Sequence, residues 1–226
     1  MAKQKKNSNY VTEKTAAAKA EREAAKVKEK QQKNIKIIAI CVAAALVFVG
    51  AVLGILAAVG AFEYDPEPTY HATVNFDNGS ALHIELYGND APKTVEHFID
   101  LCEKGYFEGL SARKFLDEML YIGSSTADGG SKGVKGEFSS NGVENKIPMK
   151  KGTVCLARGE GNDSGYGQFF VLTKNNSKLS GNYAAFGKIT DIEAVSELIS
   201  DCEIADSGVI NDSPKILSVS LHEAHH

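Results

Sequence analysis

Residues 166–172 read YGQFFVL. A glutamine set directly before two phenylalanines in an apolar run is a chemical signal. A strand buried on both faces has no need of the Gln168 amide, and a loop would not carry Phe169-Phe170-Val171-Leu172. Strand alternation puts Gln168 and Phe170 on one face and Phe169 on the other. Packing alone explains the phenylalanines but not the glutamine.

The other patterns that resemble chemistry are weaker. The last five residues, HEAHH, formally match a zinc-binding H-E-x-x-H, but that motif needs a helix to bring both histidines onto one metal. The residues before it alternate as a strand, so a frayed tail is expected. Gly159, Gly161 and Gly165 lack the spacing of a dinucleotide loop, and no Walker-type loop is present. Cys41, Cys102, Cys155 and Cys202 match no metal spacing and read as small apolar residues, with one disulfide left open.

The elements that must position Gln168 and Phe170 begin beyond an unusual N-terminus. Residues 1–36 carry eleven Lys/Arg against four Glu, and the remainder fourteen against twenty-five acidic residues. A basic arm is thus separated from an acidic body. Between them, Ile37 to Phe62 holds no charge in 26 residues. At ~1.5 Å per residue this exceeds a hydrocarbon core of ~30 Å, so a single transmembrane helix is expected over 37–62. A cleaved signal peptide has a shorter apolar region, while the small residues Ala57, Ala58, Gly60 and Ala61 leave cleavage open as the alternative. Lysines crowd the N-terminal flank and Glu63, Asp65 and Glu67 the other, so the arm is expected in the cytoplasm and the body outside the cell membrane. The arm lacks interleaved aromatics, which argues for a solvated or lipid-touching helix and against nucleic acid.

A stiff linker spans 63–69, and a mainly β domain follows over 70–223. HATVNF (71–76) and ALHIELY (81–87) alternate as strands around a turn at Asp77-Asn78-Gly79-Ser80. The period then changes. Asp90 is the expected N-cap of a helix with Pro92 in its first turn, an apolar face of Val95, Phe98, Ile99 and Cys102, and a stop at Gly105. Further strands are expected at 112–116, 119–123, 152–158, 167–173, 184–190 and 216–223, with a second helix at 192–201. Many strands and two non-alternating helices point to a barrel or sandwich with helices packed outside.

The words inside these elements resemble a known family. From Tyr70 to Glu223 the chain is similar to the cyclophilin-type peptidyl-prolyl cis-trans isomerases: NDAPKTVEHFIDLCEKGYFEGL, KGTVCLAR, GQFFVLT and LSGNYAAFGKI occur in the family's order. The resemblance implies an eight-stranded antiparallel β-barrel capped by two helices. It implies that Phe170 floors a proline pocket, Phe169 packs inward and Gln168 hydrogen-bonds the substrate backbone. It places Met119, Ala157, Arg158, Leu179 and Tyr183 on substrate-binding positions and Lys178 where an aromatic is usual.

Rotation about an X–Pro bond faces a barrier of ~18–20 kcal/mol, and no bond is broken. No nucleophile, metal or cofactor is needed; the enzyme must bind the twisted amide better than either planar form. The family's hydrogen-bond donor to that amide is an arginine five residues after a glycine. Counting from Gly109, the position here is Lys114, within Ala112-Arg113-Lys114. Lysine keeps the charge but lacks the rigid planar fork. Alternation points Arg113 to the other face unless a bulge turns it. The family's glutamine near the end of the next strand aligns with Ile122.

Two functions follow from the resemblance. One is a prolyl isomerase, of reduced activity, serving proline-containing clients outside the cytoplasm as a monomer anchored in lipid through 37–62. The other is a cyclophilin-like binding or chaperone domain that recognises proline segments without useful catalysis.

Overall fold

The computed structural model describes residues 26, 28, 30–34, 41–48, 51, 64–124 and 133–224. The chain divides into two compact units, Met1–Glu63 and Tyr64–His226. In the first, the described residues are helical and exposed. Among the described residues no helix is long and apolar enough to cross a membrane. Most of the span expected at 37–62, and of the arm at 1–36, lies outside them.

The second unit is built on eight strands: β1 (Tyr70–Phe76), β2 (Ala81–Leu86), β3 (Ala112–Leu116), β4 (Met119–Gly123), β5 (Thr153–Leu156), β6 (Gln168–Leu172), β7 (Ala185–Ile189) and β8 (Ile216–Glu223). Two α-helices accompany them, α1 (Pro92–Glu103) and α2 (Glu193–Leu198). The strands form one sheet in the order β3-β4-β6-β5-β7-β2-β1-β8, with every pairing antiparallel. Its outer strands approach each other. Gly109 N–H donates to Ile216 O at 2.8 Å and Ile216 N–H to Leu110 O at 2.7 Å, beside a bridge between Ser111 and Lys215. The sheet therefore curls into a barrel, which covers edges that a flat sheet would expose.

Alternation divides the apolar residues between two clusters. Leu120 and Ile122 of β4 and Phe169 and Val171 of β6 enter the main core. There the Phe98 ring of α1 meets Phe107, Phe169 and Phe186 at centroid distances of 5.2, 5.8 and 5.4 Å. The outward residues of the same strands form a second cluster that includes Met119, Cys155, Phe170, Leu172 and Ala185.

Helix α1 opens on Pro92, and Gly105 follows its C-cap with φ of 67°. Its cap is not the expected one. Ala91 occupies the N-cap without a side-chain bond. Instead Glu137, buried and distant in sequence, accepts the Lys93 N–H at 3.1 Å, the Thr94 N–H at 2.8 Å and the Thr94 hydroxyl at 2.7 Å. A carboxylate there satisfies orphan donors at the positive end of the helix dipole. Asp90 accepts the Tyr64 hydroxyl instead. The buried stripe of α1 runs through Thr94, Val95, Phe98 and Leu101, while Ile99 and Cys102 are only partly covered. Helix α2 is shorter than its expected 192–201.

Candidate active site

The outer face of β6 carries Gln168, Phe170 and Leu172, as alternation requires. Phe170 is 1% exposed and forms the floor of the second cluster. Its ring meets Tyr121 of β4 at 5.5 Å, tilted by 45°, and the edge of Tyr183 at 5.3 Å. Met119, Ala157 and Leu179 pack in the same cluster. Leu179 arrives on a short 3-10 turn, Ser177–Leu179, which also carries the exposed Lys178. The structure thus gathers Met119, Ala157, Phe170, Leu179 and Tyr183 into one apolar cluster, together with Tyr121 and the buried Tyr87, Ile147 and Met149.

The register aligns Lys114 with Phe170 of this cluster. Lys114 pairs with Tyr121, Tyr121 with Phe170, and Phe170 with Cys155, so the four residues make one lateral row on the same face. On its other side Lys114 bridges to Val209. Two strand spacings of ~4.8 Å put the Lys114 backbone about 10 Å from that of Phe170. The β3–β4 register shifts between Ala112 and Lys114, which leaves Arg113 as an extra residue on β3. This is the bulge that strand alternation alone did not provide; Arg113 is exposed and Lys114 partly so.

Ile122 does not reach the groove. It is fully buried in the main core opposite Phe169. The residue of β4 that opposes Phe170 on the outer face is Tyr121, whose hydroxyl lies 3.6 Å from Met119 Sδ. Tyr121 was readable from Met119 by period-two alternation, whereas aligning the family's glutamine with Ile122 passed over it. Burial raises the Tyr121 pKa, with Tyr183 and Asp117 adding to the shift, so the phenol stays protonated at neutral pH.

Gln168 faces a second hollow of about 170 Å³, lined by Ala157, Arg158, Ser164 and Tyr166 among others. Gly123, opposite Gln168, has φ of 93°, and a Cβ there would stand 2.3 Å from Gly167 O. Only glycine allows β4 and β6 this approach. Arg158 is held firmly. Its Nε donates to Asn182 O at 3.0 Å and its Nη1 to Gly159 O at 3.0 Å and Glu160 O at 3.4 Å. Its guanidinium carbon stands 5.2 Å from the Phe138 ring centre and 5.1 Å from that of Tyr183.

No reacting thiol is offered. Cys155 lies fully buried in the same cluster as Phe170, and burial pushes its pKa up; burial and Glu103 push Cys102 up to about 12. All four cysteines are free. Strand β8 runs through His222 and Glu223, so the start of the HEAHH tail is strand, not helix. His225 and His226 lie outside the described residues.

Comparison with known proteins agrees with this fold. The family model "Cyclophilin type peptidyl-prolyl cis-trans isomerase/CLD" matches residues 71–221. The chain is 29% identical over 147 residues to a peptidyl-prolyl cis-trans isomerase of Helicobacter pylori, covering 64% of this chain and 89% of that protein. It is 26% identical over 158 residues to peptidyl-prolyl cis-trans isomerase B of Escherichia coli, covering 65% and 96%. Its fold is similar to a cyclophilin-type isomerase of Cryptosporidium parvum, with a TM-score of 0.58 at 20% identity, covering 70% of this chain and 99% of the other. A second structure of that protein, determined in the presence of the dipeptide Ala-Pro, aligns with a TM-score of 0.57 at 21% identity. With the family model matched over residues 71–221 and the eight-stranded antiparallel fold, this chain belongs to the cyclophilin-type peptidyl-prolyl cis-trans isomerases.

Proposed function

We propose that this isomerase is anchored in the cell membrane through residues 37–62, with its catalytic domain outside the cytoplasm, and assists the folding of exported proteins there. Its clients are proline-containing segments of unfolded chains, for which uncatalysed isomerisation takes tens of seconds. The proline ring rests on Phe170 between Met119, Tyr121, Leu179 and Tyr183. Gln168 holds the neighbouring backbone. Lys114 donates to the prolyl nitrogen as its lone pair leaves conjugation in the twisted amide, and so stabilises the transition state more than either planar form. A flexible ammonium in place of a planar guanidinium gives a reduced rate.

The observation that carries this reading is the shared row of Lys114, Tyr121 and Phe170 on the outer face of β3, β4 and β6. Its topological half rests on the uncharged run from Ile37 to Phe62 and the lysines on one flank.

The test is an NMR-exchange assay on the full chain in detergent micelles, with a series of Xaa-Pro peptides. Exchange faster than the uncatalysed rate, lost in Lys114→Ala and raised in Lys114→Arg, supports the assignment. An uncatalysed rate with peptide-induced spectral shifts would instead make the groove a recognition module. Protease added to intact cells tests the topology: survival of the domain there would overturn an outside location.

A further inference from the structure

Among the described residues Arg158 is a cation without a counter-ion, fixed beside Tyr183 at the edge of the Phe170 cluster. Its three hydrogen bonds all go to neutral backbone carbonyls, those of Asn182, Gly159 and Glu160. Among the described residues no carboxylate pairs with it. The carbonyls orient the guanidinium, and the rings of Phe138 and Tyr183 flank it, but none of these removes its charge. The rotamer entropy that an exposed arginine loses on binding is therefore already spent.

Its place is set by contact. The guanidinium carbon is 5.1 Å from the Tyr183 ring centre, and that centre is 5.3 Å from the Phe170 ring centre. The charge consequently stands within ~10 Å of the ring on which proline rests. An extended chain advances ~3.3–3.6 Å per residue, so a side chain one or two residues from the proline reaches it. Arg158 also lines the hollow beside Gln168, where Ser124, Ser164 and Tyr166 supply polar or aromatic walls. On the turn Ser177–Leu179, the exposed Lys178 adds a second positive charge.

We infer that Arg158 makes this isomerase selective for prolines flanked within two residues by an acidic side chain. The ligand chemistry is a carboxylate accepting from the free N–H groups of the guanidinium. This rests on the proposed seating of proline on Phe170 and deepens it by naming the client class. It also runs against the charge of the body as a whole, which is acidic, so the preference is local to the groove.

The experiment compares matched peptides on the full chain in micelles. Glu, Gln or Lys is placed at each of the two positions before and the two positions after a single proline, and kcat/KM is read by NMR exchange. At one of these positions Glu should exceed Gln by about twofold to fivefold, the range of a partly exposed ion pair, with Lys lowest. The ratio should shrink as ionic strength rises from 0.02 to 0.5 M, because screening shortens from over 20 Å to below 5 Å. Arg158→Gln should bring the Glu/Gln ratio to one, and Arg158→Lys should restore part of it. Equal rates for Glu, Gln and Lys at every position in the wild type overturn the inference, and that comparison needs no variant to fold. If instead no peptide is isomerised, the underlying seating fails, a distinguishable outcome. A phosphoserine peptide run alongside separates carboxylate from phosphate: preference for phosphoserine with none for Glu would overturn the carboxylate assignment.

Discussion

Lys114 and Tyr121 stand directly opposite each other on β3 and β4, and Tyr121 in turn stands opposite Phe170. A charged side chain, a phenol and the pocket floor thus share one row. The row exists because the bulge at Arg113 resets β3 by one residue before Lys114 is paired.

If Lys114 is the donor, Lys114→Ala should lower kcat about 10²-fold with little change in KM, the signature of an interaction made only in the transition state. Lys114→Arg should raise kcat. A rise in KM with kcat unchanged would assign Lys114 to ground-state binding instead.

Tyr121 separates wall from hydroxyl. Tyr121→Phe keeps the ring against Phe170 and gives up only the weak contact to Met119 Sδ, so activity should stay within about twofold of wild type. Tyr121→Ala opens the pocket and should raise KM for Xaa-Pro peptides about tenfold, a loss of about 1.4 kcal/mol of apolar contact. Similar losses in both variants would show that the hydroxyl, not the wall, matters.

Glu137 ties the 133–142 segment to the start of α1. Glu137→Ala leaves the N–H groups of Lys93 and Thr94 without their acceptor in a buried place. It should cost about 2–4 kcal/mol, seen as a lower urea midpoint at unchanged slope. A loss below about 0.5 kcal/mol would mean that water caps the helix as well as the carboxylate does.

Gly123→Ala forces a Cβ to within 2.3 Å of Gly167 O at φ of 93°. The strands must separate beside Gln168, so stability and kcat/KM should fall together. Full activity with a normal thermal midpoint would show that β4 can shift without disturbing the site.

Asp163 accepts the Gly136 N–H at 3.0 Å and Asn141 Nδ2 at 2.7 Å, and these bonds, the Gly136 one foremost, hold its pKa below the usual aspartate value. A folded-state pKa below the unfolded one adds stability that is present above the ordinary range of about 4 and is lost as pH falls through the folded value. Denaturation midpoints from pH 7 down to pH 2 should therefore fall less steeply below pH 4 in Asp163→Asn than in wild type. Parallel curves would sink this assignment.

Much of the architecture is local in origin and was legible along the chain. The bounds of β8 follow from period-two alternation, and those of α1 from Pro92 and Gly105, because each signal acts over a few residues; β3 and β4 also match the expected 112–116 and 119–123. The placement of Gln168 and Phe170 on one face, and of Phe169 on the other, needs nothing more than that alternation.

Three features depended on contacts that no local pattern encodes. The cap of α1 comes from Glu137 because a backbone N–H donates to any correctly placed carboxylate, near or far in sequence. Tyr121 rather than Ile122 lines the groove because the pairing of β4 with β6 decides which residue opposes Phe170. The charge of Arg158 stays available because its partners are carbonyls gathered from Asn182, Gly159 and Glu160. Periodicity along the chain carries most strands, the mainly β class and the shared face of Gln168 and Phe170, while the closed barrel and the role of Phe170 as a pocket floor were implied by the resemblance. Only the tertiary structure decided which side chains meet around that floor, since strand register and long-range hydrogen bonds are properties of paired segments, not of either segment alone.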